Sequence, residues 1–245
     1  MGLYAICGDS ACGKTTLAKE LTTIIPKSMI LECDRYHKWE RNDPSLNIIT
    51  NLNPEANNLD IMKHDILTLV SGRSIYQVDY LHKNGKFSQK NEIHPAENII
   101  VCGLHLVDVS YDLKIYINVS TELKEMWKIE RDIRDRGYTR EQVINSINNR
   151  RSDFEKFIEP QQYACEVIVN FLNDGVSIDI DNKIDMTQYF TVCHYNRVDF
   201  SIRMADTRNS IIFTTKSIHS QYMYILSVIN HIIGPLCLKK IKTKN

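Results

Sequence analysis

The chain is constrained above all by Gly8-Asp9-Ser10-Ala11-Cys12-Gly13-Lys14-Thr15, which satisfies the pattern G-x-x-x-x-G-K-[ST] at every fixed position. Leu3-Tyr4-Ala5-Ile6-Cys7 before it is a short apolar run of the kind a buried parallel strand requires. Thr16-Leu17-Ala18-Lys19-Glu20-Leu21 after it carries Leu17 and Leu21 at helical spacing. Strand, glycine loop and helix in that order predict a phosphate-binding loop. The glycines let successive backbone N–H groups converge on phosphate oxygens, and the helix adds its positive end. The expected nucleotide-binding residues are Gly8, Asp9, Ser10, Ala11, Cys12, Gly13, Lys14, Thr15 and Thr16. Lys14 would place a charge on the β- and γ-phosphates, and Thr15 would offer a hydroxyl to Mg²⁺. The ligand class is a nucleoside triphosphate.

A chain of 245 residues accommodates one α/β domain with a substantial core, or such a domain with a small appendage. Lys and Arg total 30 and Asp and Glu total 30, which argues against nucleic acid as the main partner. The longest apolar candidate, Tyr222 to Leu238, is broken by Ser227, Asn230, His231, Gly234 and Pro235. No leader pattern precedes the first strand, so the expectation is a soluble, cytoplasmic chain with no membrane partner. Seven cysteines form neither a C-x-x-C pair nor a zinc spacing.

Ser28 to Cys33 reads as a second strand, with Asp34 at its carboxyl end, the edge where open α/β sheets bind ligands. A carboxylate there accepts the proton of an attacking hydroxyl, contacts Mg²⁺, or does both; the alternative is a capping Asp at a strand–helix junction. Asn58 is expected to cap a helix from Leu59 to Val70. Ser74 to Ile93 reads as a β-hairpin arm turning at Asn84-Gly85. Asn98 to Gly103, Leu113 to Val119 and Glu166 to Leu172 are further buried strands, the last of them closing the core. Thr121 is expected to cap a helix from Glu122 to Asp135 with Leu123, Met126, Trp127, Ile129 and Ile133 inward, and Thr139-x-x-Gln142 is a capping box for the next. The Arg-rich helices around Gly137 are either a lid over transferring phosphate or a solvated charged face.

Beyond residue 175 the pattern shifts to short strands, Thr187 to Cys193, Val198 to Met204 and Asn209 to Thr215, then a helix from Ile218 to Ile233 and a basic tail, Lys239 to Lys244. The expected fold is α/β, a P-loop NTPase-type three-layer αβα core with a mostly parallel sheet over residues 1–175. A β-rich and helical extension, residues 176–245, is expected to pack on it.

Taken together, the motifs resemble the phosphoribulokinase/uridine kinase family of P-loop small-molecule kinases, and within it the plant and cyanobacterial phosphoribulokinase branch. The resemblance runs from about residue 3 to 172. Its segments are the phosphate loop, Asp34-Arg35-Tyr36-His37 with Arg41, Asn53-Pro54-Glu55-Ala56-Asn57-Asn58-Leu59-Asp60, Tyr80-Leu81-His82 and Gly103-Leu104-His105. Trp127-Lys128-Ile129-Glu130-Arg131-Asp132, Arg136-Gly137-Tyr138, and Asp153-Phe154 through Pro160-Gln161-Gln162-Tyr163-Ala164 follow in order. The resemblance implies transfer of the ATP γ-phosphoryl group to a hydroxyl of a sugar phosphate, ribulose 5-phosphate or a relative. It implies Asp34 and Lys14 as catalytic residues and Thr15 and Asp34 at Mg²⁺. His37, Arg41, Tyr80, His82, Lys128, Arg131 and Arg136 would contact the phosphate-bearing acceptor. A uridine/cytidine-type nucleoside kinase and a catalytically weakened nucleotide-binding regulatory protein are the alternatives, and a homodimer is left open.

The chain departs from that family at Cys102, where the strand before Gly-Leu-His ends in Glu. A thiol does not replace an oxygen ligand at Mg²⁺, so another acid, with Asp108 as candidate, compensates or activity falls. The segment from His105 to Asp112 and the C-terminal region are also short. Cys12 matches a loop cysteine that chloroplast members use as a redox switch; its partner would fall at Glu32, and here the cysteine is Cys33. A one-residue shift turns a strand side chain to the other face, which disfavours a Cys12–Cys33 disulfide.

Overall fold

Unbroken burial along the first strand sets the architecture. In Gly2–Gly8 (β1), Tyr4 and Ile6 pack on one side of the sheet while Leu3 and Cys7 pack on the other, so both faces are covered. The computed structural model of the chain describes residues 1–184, 200–214 and 232–237. After β1 come Lys14–Thr22 (α1), Ser28–Glu32 (β2), Leu59–Val70 (α2), Ile75–Gln77 (β3), Tyr80–Leu81 (β4), Lys86–Phe87 (β5) and Asn91–Ile93 (β6). Asn98–Gly103 (β7), Leu113–Val119 (β8), Thr121–Arg136 (α3) and Arg140–Asn149 (α4) follow. Val167–Leu172 (β9), Gly175–Asp181 (β10), Phe200–Arg203 (β11) and Arg208–Thr214 (β12) complete the strands among the described residues, and residues 232–237 are helical.

The main sheet has the order β11-β12-β10-β9-β8-β1-β7-β2. From β9 to β2 its neighbours are parallel, as expected of a P-loop core. The chain leaves β1 toward β2 and β7 on one side and later returns to β8 on the other, so the loop after β1 opens at the topological switch point. β10, β12 and β11 then add antiparallel strands to the same sheet. Val176, Ile178, Ile180 and Ile211, with Ile232, Ile233 and Leu236, share one apolar cluster with Tyr4, Ile6, Leu17 and Leu21. β9 is therefore not the last core strand. Asp174-Gly175 and the alternation of Val176, Ile178 and Ile180 carry the signal for the strand that follows it.

Other expectations need local correction. Ser28–Glu32 stops one residue early, and Cys33–Tyr36 forms a 3₁₀ turn holding Asp34. Ser120, not Thr121, is the N-cap of α3, and the Asn58 side chain makes no capping bond to α2. The Thr139–Gln142 capping box is present in both directions. Of the residues expected inward on α3, Leu123 is buried and Trp127 packs on the main core cluster, whereas Met126 and Ile133 are exposed and Lys128 and Asp132 are buried, so the inward face is part apolar and part charged. Thr187 to Cys193, the basic tail and most of the expected helix from Ile218 to Ile233 lie outside the described residues. Among the described residues no helix is long and apolar enough to cross a membrane.

Candidate active site

Three strand ends of the parallel sheet converge on one cleft of about 1490 Å³. β1 delivers the phosphate loop. Gly13, N-cap of α1, has φ +92°, a left-handed conformation in which a side chain would be strained. The loop is braced from below: Ser10 N donates to Asp9 Oδ1 at 2.6 Å, and Lys124 and Arg150 approach the same carboxylate at 3.2 and 3.6 Å. Burial pushes the Asp9 carboxyl up, but Arg150 and Lys124 outweigh it and hold the group below the usual range. Lys14 Nζ donates to the Asp9 carbonyl at 2.6 Å. Ser10, Ala11, Gly13, Lys14, Thr15 and Thr16 line the cleft, while Gly8, Asp9 and Cys12 lie beneath it. Cys12 and Cys33 are both free thiols.

β2 delivers Asp34. The turn that carries it crosses so close to the end of β7 that a side chain at Gly103 would overlap Cys33, which accounts for a glycine there. Asp34 Oδ1 stands 3.7 Å from His37 Nε2, and Oδ2 stands 3.8 Å from His82 Nε2. The His37 ring is fixed by Asn57. The Asn57 amide donates to the carbonyls of Asn51 and Asn53 at 3.0 and 2.9 Å, leaving its oxygen to accept from His37 Nδ1 at 2.7 Å. His37 therefore turns Nε2 toward the carboxylate, and the Asn53-to-Asn57 segment acts as its bracket. Burial raises the Asp34 carboxyl, yet His37, His82, Lys14 and Arg136 together hold it below the ordinary carboxylate range. It is an ionised base at neutral pH.

The hairpin arm supplies the second wall. β3 pairs with β6 and β4 with β5 around the expected Asn84-Gly85 turn. Tyr80 meets the rings of His37, His82 and Phe87 edge-on at 5.3, 5.5 and 5.5 Å. Arg41 N donates to the Gly85 carbonyl at 2.9 Å and its guanidinium to the His82 carbonyl, which ties the arm to the loop after Asp34.

The third wall is α3. Lys128, Arg131 and Arg136 converge on Asp132 at 2.9, 2.8 and 3.2 Å, and Arg131 also reaches Ser10 Oγ at 3.3 Å. The stripe of Lys128, Arg131 and Arg136 faces the cleft, and Arg134 and Asp135, which also line it, pair with each other and are solvent-exposed. All seven expected acceptor residues (His37, Arg41, Tyr80, His82, Lys128, Arg131 and Arg136) line the cleft. Glu32, Asp132 and Arg150 line it too and were not anticipated. Asp132 is four residues from both Lys128 and Arg136, a spacing that marks one helix stripe.

At the end of β7, burial pushes the Cys102 thiol up to about 12, against the pull of Lys14 and Thr15, and its Sγ lies 3.8 Å from Thr15 Oγ1. Asp108 does not compensate for it. Its side chain is 100% exposed, pairs with Lys63 at 3.2 Å, and is not part of the cleft wall.

Residues 3–176 match the model of the Phosphoribulokinase / Uridine kinase family. The chain is 35% identical over 189 residues to a phosphoribulokinase of Synechocystis sp., covering 74% of this chain and 57% of that one. It is 28% identical over 224 residues to the chloroplastic phosphoribulokinase of Spinacia oleracea, covering 80% and 56%. The chain thus spans little more than half the length of these relatives. The structure titled phosphoribulokinase from Rhodobacter spheroides superposes with a TM-score of 0.65 at 18% identity, covering 96% of this chain and 98% of that one, a likeness of fold.

Proposed function

The chain belongs to the phosphoribulokinase/uridine kinase family, and from that premise we propose that it transfers the γ-phosphoryl group of ATP to a hydroxyl of a phosphate-bearing sugar, ribulose 5-phosphate or a close relative. The observation that carries this reading is the placement of Asp34, ionised between two histidines and beside the phosphate-loop lysine. An acceptor hydroxyl seated there gives its proton to the Asp34 carboxylate while its oxygen attacks the γ-phosphorus in line with the departing ADP. His37 and His82 hold the carboxylate in position, and Lys14 takes up charge on the phosphates. Phosphoryl transfer asks for positioning and charge neutralisation more than covalent help.

The donor chemistry fits Mg²⁺. Thr15 and Asp34 offer a hydroxyl and a carboxylate on the same wall, the hard oxygen ligands this ion takes together with nucleotide phosphates and water. When bound, the ion neutralises charge on the phosphates. Arg41, Lys128, Arg131 and Arg136 give the acceptor end a cationic wall, and Arg forks suit a phosphate monoester. That wall favours a phosphorylated acceptor over a nucleoside.

The test is ADP release from Mg-ATP against a panel of ribulose 5-phosphate, other sugar and polyol phosphates, uridine and cytidine. Turnover with one sugar phosphate is expected. Turnover with a nucleoside alone would replace this reading with the nucleoside kinase, and nucleotide binding without turnover would replace it with the regulatory protein.

A further inference from the structure

Glu32, at the last position of β2, is the direct register partner of Cys102 in β7. Partners in a parallel pair project from the same face of the sheet. That face is the one covered by α1, since Cys102 and Ile100 pack there with Leu17 and Leu21. Glu32, Cys102 and Thr15 therefore share one corner of the cleft, with Cys102 touching the threonine hydroxyl and Glu32 one strand away. Strands lie roughly 4.8 Å apart, a gap that the longer Glu side chain spans.

Several other acids near the cleft are committed elsewhere. Asp132 is enclosed by Lys128, Arg131 and Arg136, Asp9 by Lys124 and Arg150 beneath the loop, Asp135 pairs with Arg134, and Asp43 accepts from Ser45 N. Glu32 is different. Its side chain is 39% exposed into the cleft, and its ion-pair contact is His82 Nε2 at 3.7 Å, a ring it shares with Asp34. The sulfur of Cys102, a soft donor, is poorly matched to a hard cation.

Resting on the kinase reading above, we propose that Glu32 supplies the second carboxylate of the divalent-cation site, completing an all-oxygen set with Thr15 and Asp34. The carboxylate then sits one strand to the side of Cys102, at the same end of the sheet. Cys102 then serves as a compact apolar filler beside Thr15.

The test is Mn²⁺ binding to the full chain in the presence of ADP, read from the electron paramagnetic resonance signal of free Mn²⁺. Partners in a metal's outer shell already cost about 10–100-fold in affinity when removed. Glu32→Gln should therefore weaken Mn²⁺ binding by about tenfold or more, with metal-free ADP binding and the melting temperature unchanged. The paired exchange Glu32→Cys with Cys102→Glu should restore what Glu32→Cys alone removes. Wild-type Mn²⁺ affinity in Glu32→Gln, or no recovery in the paired exchange, would each overturn the assignment while leaving the kinase intact. Absence of any Mn²⁺-dependent ADP binding in the wild type would remove the kinase reading itself.

Discussion

The Lys128 ammonium donates to the Asp132 carboxylate at 2.9 Å, four residues along the same helix, with both side chains buried. Burial first, and then the neighbouring Arg150, bring Lys128 down to about 8 although Asp132 pulls it back up. The group is charged below that value and neutral above it, and an anionic acceptor binds the charged form. The KM for the phosphorylated acceptor should be flat at lower pH and rise as the pH passes about 8. Lys128→Arg should abolish the rise, because a guanidinium keeps its proton throughout. Steady-state KM measured against pH at saturating Mg-ATP checks this; a rise that survives in the Arg variant assigns the titration to another group.

Asp34→Asn keeps the shape of the base and removes its proton affinity. Loss of a positioned general base costs about 10²–10⁴-fold in turnover. The expected result is a fall of that order in kcat with metal-free ATP affinity unchanged. Turnover within a few-fold of wild type would take the proton-accepting role from Asp34.

Lys14→Ala removes the charge at the phosphate loop. A hydrogen bond to a charged group is worth about 1.5–3 kcal/mol, or roughly 10–100-fold in affinity. ATP binding measured by calorimetry should weaken by that amount, while the circular dichroism spectrum stays that of the wild type. Unaltered affinity would show that the nucleotide does not use this loop as described.

Ile178 of β10 is fully buried in the same cluster as Tyr4 and Leu17. Ile178→Ala should therefore cost about 2–5 kcal/mol in urea unfolding, and the transition should remain single, because the antiparallel strands and the phosphate-loop strand share one core. A separate early transition confined to the C-terminal strands would contradict that sharing.

What could be read in advance follows the range of the interactions. β7, β8 and α2 have the bounds that their apolar runs and spacing indicated, and Thr139 and Gln142 announced their own cap. Such signals live within a few residues of one another. Apolar periodicity finds Leu123 and Trp127 on the inward face of α3 but not the rest of that face, because it assumes that charge seeks water. Here Lys128 and Asp132 satisfy each other inside, and Met126 and Ile133 go outside. Glu32 was legible only as a strand residue. Its partnership with Cys102 depends on the register of β2 against β7, which joins positions 70 apart in number and leaves no local trace.

The Tyr4 hydroxyl donates to the Cys237 carbonyl at 3.0 Å, and Gly234 packs so closely on Ile24 that a methyl group there would crowd it. The strand that opens into the phosphate loop at one end is thus corked at the other by residues more than two hundred positions later. A recombinant chimera that kept the parallel strands and exchanged everything after β9 would inherit a loop without its cork.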